Sequence, residues 1–205
     1  MNRSLRAIKK EATASALAEA AFQLALERGL DGFVVEDIVQ RAGYSRRTFA
    51  NHFSCKEEAV VMAGEHFHGI DEYLDMIERL PEDTTPLEVM YQFIKMQLTE
   101  EVLRRIHQIL ELSKTYPTLA PYTLSLLHRL QTAAQEALNG LFENRYPVGY
   151  NHFLAGAVCA AIIPLLDGSV PVNIPGLPSE DTPGSVSFDE YIDSAFTYLR
   201  NGFQI

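Results

Sequence analysis

The chain has 205 residues and a formal net charge of −10, with 47% hydrophobic and 21% charged residues. That is the composition of a soluble globular protein with one or two domains and a real core. Two cysteines, Cys55 and Cys159, exclude a disulfide framework and fit a reducing, cytoplasmic compartment.

The charge is unevenly divided. Residues 1–56 carry nine Lys/Arg against six Asp/Glu, a net of +3, and residues 57–205 carry eight against twenty-one, a net of −13. A weakly basic head on an acidic body implies that only the head approaches a polyanion.

In chain order, the pattern is helical nearly throughout, and no alternating strand or Asn-Gly hairpin is found. The first helix is predicted over about Leu5 to Arg28, with Leu17, Ala21, Leu24 and Ala25 on one face and Gly29 as its cap. Glu11, Glu19 and Glu27 interrupt any apolar signal-peptide core. In the second helix Val35, Ile38, Val39 and Ala42 form one apolar stripe, and Gly43 closes it. Ser45 is placed to cap a third helix, whose Phe49 and Phe53 both turn inward. A long helix is predicted from Lys56 to about Leu80, ended by Pro81. Further helices are predicted over Pro86–Leu98, Glu100–Thr115, Leu119–Phe142 and Tyr150–Leu166. The apolar run Phe153 to Leu166 is too short to span a bilayer, which needs about 20 residues, so no membrane contact is expected. Residues 167–186 read as a long Pro/Gly-rich loop, and a last helix covers about Phe188 to Gly202.

Two short helices joined by a Gly-containing turn over Val35 to Phe53 describe a helix-turn-helix. With the two phenylalanines inside, Arg46, Arg47, Thr48, Ala50, Asn51 and His52 are left outside or at the sides. Arg can pair with guanine and Asn with adenine in the major groove.

Leu26-Glu27-Arg28-Gly29, Val35-Glu36-Asp37-Ile38, Ala42-Gly43-Tyr44-Ser45-Arg46-Arg47-Thr48-Phe49, His52-Phe53 and Lys56-Glu57 together resemble the DNA-binding domain of the tetracycline-repressor (TetR) family, in register over about residues 10–60. The resemblance implies that Ser45, Arg46, Arg47, Thr48, Asn51 and His52 lie on or beside the recognition helix. It also implies that Thr48 and Lys56 contact phosphates, and that an arm of Arg3, Arg6, Lys9 and Lys10 reaches the adjacent backbone or minor groove. The chain departs from the family pattern at Ala50, where an aromatic is usual, at Ser54 and Cys55, where Pro-Ser is usual, and at Val34, where Thr is usual.

The expected architecture is therefore all-α: a three-helix DNA-binding domain over 1–55 and a larger helical effector-binding and dimerisation domain over 56–205. A single short recognition helix reads too few base pairs, so a homodimer is expected. The last two helices are its best interface, since Ala155, Gly156, Ala157, Ala160 and Ala161 allow close approach and Ile162, Ile163, Leu165 and Leu166 supply area. Met62, Met90, Phe93, Ile106, Leu110 and Tyr122, with Met76, Tyr91 and Met96, lie on the helices that surround the small-molecule effector cavity in such proteins. The expected function is sequence-specific binding of a double-stranded DNA operator by a repressor that a small molecule releases. The alternative is an effector-independent or architectural DNA-binding protein. No Ser/His/Asp arrangement, phosphate loop or metal signature points to an enzyme or a cofactor. His66 and His68 diverge on a helix, and His107, His128 and His152 fall on different ones, so no metal site is expected.

Overall fold

The computed structural model describes residues 5–65, 75–143, 145–167, 169–177 and 185–202. Its helices are α1 (Leu5–Arg28), α2 (Val35–Ala42), α3 (Arg46–Ala50), α4 (Lys56–Met62), α5 (Pro86–Gln97), α6 (Glu100–Thr115), α7 (Ala120–Leu141), α8 (Tyr150–Asp167) and α9 (Phe188–Asn201), with a helical turn at 75–78. The fold is all-α. Two compact units emerge: Met1–His66 with Gln108–Leu126, and Phe67–His107 with Leu127–Ile205.

In the first unit, α1 places Leu17, Ala21, Leu24 and Ala25 in the core, as its spacing predicts, together with Phe22. It packs against α2 and against α4, whose Ala59, Val60 and Val61 are wholly buried. Each fully buried Leu or Phe contributes about 1.5–3 kcal/mol of transfer free energy. Gly29 ends α1 with φ +71° and ψ 166°, a region open to glycine alone. A Cβ there would overlap the hydroxyl of Tyr116.

The long helix predicted from Lys56 to Leu80 is corrected. α4 ends at Met62, and the chain tightens into a 3₁₀ turn at Ala63–Glu65. A Cβ on Gly64 would come within 2.9 Å of Ile109 and 3.2 Å of Leu126. The backbone thus lies directly against apolar side chains of the 108–126 segment, a tertiary contact that periodicity does not register. The 66–74 part of that prediction lies outside the described residues, as do His66 and His68.

In the second unit, Thr85 caps α5 by accepting from the Glu88 N–H at 3.2 Å, and Pro86 opens it where no N–H is needed. Val89, Met90 and Ile94 of α5 are buried, as are Ala155, Val158 and Leu165 of α8 and Ile192 and Phe196 of α9. α5 packs against both α8 and α9, which pack on each other. Pro164 inside α8 gives no N–H to the preceding turn. Beside it the Ala161 carbonyl accepts from the Tyr191 hydroxyl of α9 at 2.6 Å. Ser187 and Glu190 form a reciprocal capping box at the start of α9, and Gly202 closes it at φ +63°.

The stretch read as a featureless loop holds one pairing. β1 (Val172–Asn173) and β2 (Val186–Ser187) run parallel, with Val172 opposite Val186. Residues 168 and 178–184 of that loop lie outside the described residues. No described helix is long and apolar enough to cross a membrane.

Candidate nucleic-acid interface

The turn from α1 into α2 is held by charge. Glu27 receives both terminal nitrogens of Arg41, at 2.9 and 2.6 Å, and Arg28 stands 3.6 Å from Asp37. The Arg41 hydrogen bonds hold the Glu27 carboxyl below the usual carboxylate range. Val34 has no side chain that can cap α2, but the Asp37 carboxylate reaches back to accept the Val34 N–H at 2.9 Å. Half of a capping box therefore survives without its Thr. Gly43 turns the chain out of α2 at φ +73°, and the Tyr44 N–H returns to the Val39 carbonyl at 2.9 Å. Ser45 then caps α3: its Oγ accepts from the Thr48 N–H at 3.1 Å and lies 2.9 Å from the Thr48 hydroxyl.

The cap sets the phase of α3. Phe49 and Phe53 go into the core with ring centroids 5.6 Å apart. Arg46, Arg47, Ala50 and Asn51 are left exposed, with Thr48 and His52 half-buried beside them. Arg46 is engaged by Glu36 of α2 at 2.6 Å, whereas Arg47 and Asn51 have no side-chain partner among the described residues. Burial, and then the nearby charge of Lys10, push the His52 imidazole below its ordinary value, so it is neutral at neutral pH. Arg6, Lys9 and Lys10 of the expected arm are exposed on α1, and Arg3 lies outside the described residues. The surface thus offers a free guanidinium and a free amide on a short, firmly seated helix. Those groups match guanine and adenine edges in a major groove.

Behind this surface, α4 begins with an unusual cap. The Cys55 sulfur accepts from the Glu58 N–H at 3.4 Å, and its thiol donates to the Tyr122 hydroxyl at 3.1 Å. The Ser54 N–H and hydroxyl both donate to the Glu58 carboxylate at 2.7 Å. The Lys56 ammonium turns inward to the carbonyls of Leu30, at 2.7 Å, and Phe33, at 2.9 Å. Glu36 and these loop carbonyls were missed by sequence reasoning. The Val34-to-Asp37 spacing was the one local signal that could have been read.

Of the residues expected around an effector, Met62, Leu110 and Tyr122 belong to the first unit and Met90, Phe93 and Ile106 to the second. Met90 is buried and the other five are half-buried. An open groove of about 530 Å³ in the second unit is lined by Met76, Arg79 and Pro81 and by Gln92 and Met96. Among the described residues no three His, Cys, Asp or Glu side chains are grouped to hold a metal ion. His152 instead pairs with Gln135 at 2.9 Å.

Residues 17–60 match the family model described as bacterial regulatory proteins, tetR family. Residues 17–60 are thus similar to the DNA-binding domain of TetR-family regulators. The matched segment of the TetR-type domain runs from the core face of α1 to the middle of α4 and contains the whole helix-turn-helix. Three solved structures resemble the chain over most of its length. A transcriptional regulator from Rhodococcus sp. Rha1 is 22% identical, with 94% of this chain and 98% of that one covered at a TM-score of 0.49. A protein assigned to the TetR family from Mesorhizobium loti MAFF303099 is 18% identical, with 94% and 95% covered at 0.48. A Clostridium perfringens protein assigned as a fatty acid metabolism regulator is 18% identical, with 93% and 99% covered at 0.48. No curated protein matches the chain.

Proposed function

We propose that this chain is a TetR-family regulator, a homodimeric repressor that grips a two-fold operator with paired α3 helices and is released by a small molecule. The observation that carries the reading is the seating of α3. Phe49 and Phe53 anchor it, and Arg47 and Asn51 stand outward with no competing partner among the described residues. Arg47 and Asn51 read base edges, and Ser45, Arg46, Thr48 and His52 flank them toward the phosphates. Lys56 lies behind them at the start of α4.

The dimer reading is supported by α8, which is apolar along its length although Phe153 is 75% exposed and Ala160 also faces outward. A helix apolar on all sides wants cover on all sides. Release follows if the effector binds unequally to the operator-competent and incompetent states.

Selection from a randomised duplex pool tests the whole reading. The wild-type chain should enrich a symmetric sequence with half-sites about 34–36 Å apart, or a multiple of that. A chain that enriches nothing at low salt overturns it.

A further inference from the structure

Family resemblance assigns Lys56 to a DNA phosphate. Its surroundings assign it elsewhere. An ammonium has three N–H bonds, and two of the three in Lys56 go to the Leu30 and Phe33 carbonyls at 2.7 and 2.9 Å. The same nitrogen stands 5.1 Å from the centroid of the Phe33 ring, a cation–π distance. Leu30 and Phe33 are themselves buried, so the two carbonyls belong to a 3₁₀ turn and its extended exit, with little access to water.

That turn matters because it launches α2. The chain passes from Gly29 through the 3₁₀ turn Leu30–Gly32 to an extended Phe33, and α2 starts two residues later. Val34 supplies no side-chain cap. The direction in which α2 leaves the turn is set by the groups that hold the turn: the Glu27–Arg41 and Arg28–Asp37 pairs between α1 and α2, and, from α4, the Lys56 ammonium. α2 in turn carries Gly43 and the Ser45 cap, which orient α3.

We propose that Lys56 is a positioning residue: its ammonium clamps the α1–α2 turn to the start of α4 and so aims the recognition helix, without neutralising a phosphate. To serve a phosphate fully it would have to give up its bonds to both carbonyls. The clamp costs the complex no counterions, so its contribution to binding is independent of salt. It rests on the operator-binding reading above, but its test fails separately.

The experiment uses the full-length chain, the duplex that wild type selects from a randomised pool, and an unrelated duplex of equal length. Binding is followed by fluorescence anisotropy between about 50 and 200 mM salt, where each phosphate contact contributes about 0.9 to the slope of log K against log salt. Lys56→Met keeps the stem and removes the donors. It should lose about tenfold on the selected duplex, leave the unrelated duplex unchanged, and keep the wild-type slope. Lys56→Arg, which restores donors and charge, should recover most of the loss. A Lys56→Met slope that falls by about 0.9 per lysine removed, or unaltered affinity for the selected duplex, overturns the proposal.

Acetylation footprinting of wild type needs no variant to fold. Lys56 should react far more slowly than the exposed Lys9 and Lys10 in the free chain, and equally slowly with the selected duplex bound. Lys56 reacting like Lys9 until DNA is added overturns the clamp. If wild type selects no duplex, the operator reading fails, while the free-chain footprint still decides the clamp.

Discussion

Lys95 on α5 reaches Asp193 on α9 at 3.0 Å, and the same ammonium lies 2.6 Å from Asp189 one turn earlier. The Tyr91 hydroxyl adds a hydrogen bond to Asp193 at 2.8 Å, and the Tyr91 ring meets Phe196 edge-on at 5.2 Å. A polar lock and an aromatic contact therefore seat α9 on α5. The bonds from Lys95 and Tyr91 hold the Asp193 carboxyl below its ordinary value of 3.8. A depressed carboxylate stabilises the fold above its unfolded pKa, and that stability is lost as pH falls through the folded value. Asp193→Asn should therefore melt below wild type at neutral pH, and the gap should close under acid. Thermal midpoints from about pH 7 down to about pH 2.5 check this. A gap that persists unchanged at the acid end would place the effect of the substitution elsewhere.

Arg46 and Arg47 are neighbours with different freedoms. Arg46 is held by Glu36 at 2.6 Å, and Arg47 is held by nothing among the described residues. Arg47→Ala should cost about 1–3 kcal/mol on the selected duplex and relax preference at one base position. Arg46→Ala should cost less than about 1 kcal/mol, because it gives up an exposed ion pair as well as any DNA contact. Anisotropy on the selected duplex and its single-base variants separates the two. Equal losses with no change of preference would remove Arg47 from base reading.

At Gly29 two constraints meet. Its φ of +71° with ψ 166° disfavours any side chain, and the Tyr116 hydroxyl fills the space a Cβ would take. Gly29→Ala should destabilise the chain by about 1–3 kcal/mol in urea. In a Tyr116→Phe background the penalty should shrink without vanishing, since the overlap is relieved and the backbone strain remains. Strict additivity of the two substitutions would show that the tyrosine plays no part.

Ala160 offers a clean test of self-association. It is exposed on α8, so a glutamate there faces water in an isolated chain and would be trapped between helices in a dimer. Ala160→Glu should keep its helical circular dichroism and sediment as a monomer at concentrations where wild type sediments as a dimer. An unchanged dimer would move the interface off this face of α8.

Much of the fold could be read from residues alone, for local reasons. Both ends of α1 and of α6 agree with the predicted bounds, since Gly29 and Pro117 stop regular apolar stripes. The Ser45 cap was legible because capping acts over three residues. What escaped depends on distant partners. Just past the end of α4 at Met62, Gly64 lies against Ile109 and Leu126, which are far away in sequence. β1 and β2 are two residues each, too short for any alternation to show. In the site, the residue types and outward face of α3 were legible. The sorting of its cations was not: whether a lysine looks out to DNA or in to a carbonyl is decided by a turn twenty-odd residues upstream.

The parallel match of Val172 with Val186 fixes where the chain re-emerges before the Ser187 cap of α9. Closing a loop costs free energy that rises only slowly with its length, by about 0.6 kcal/mol per doubling. The span between the two valines can therefore lengthen or shorten while the final helix keeps its starting point. It is the natural place to graft an epitope or reporter without disturbing either end of the chain, provided Val172 and Val186 are kept.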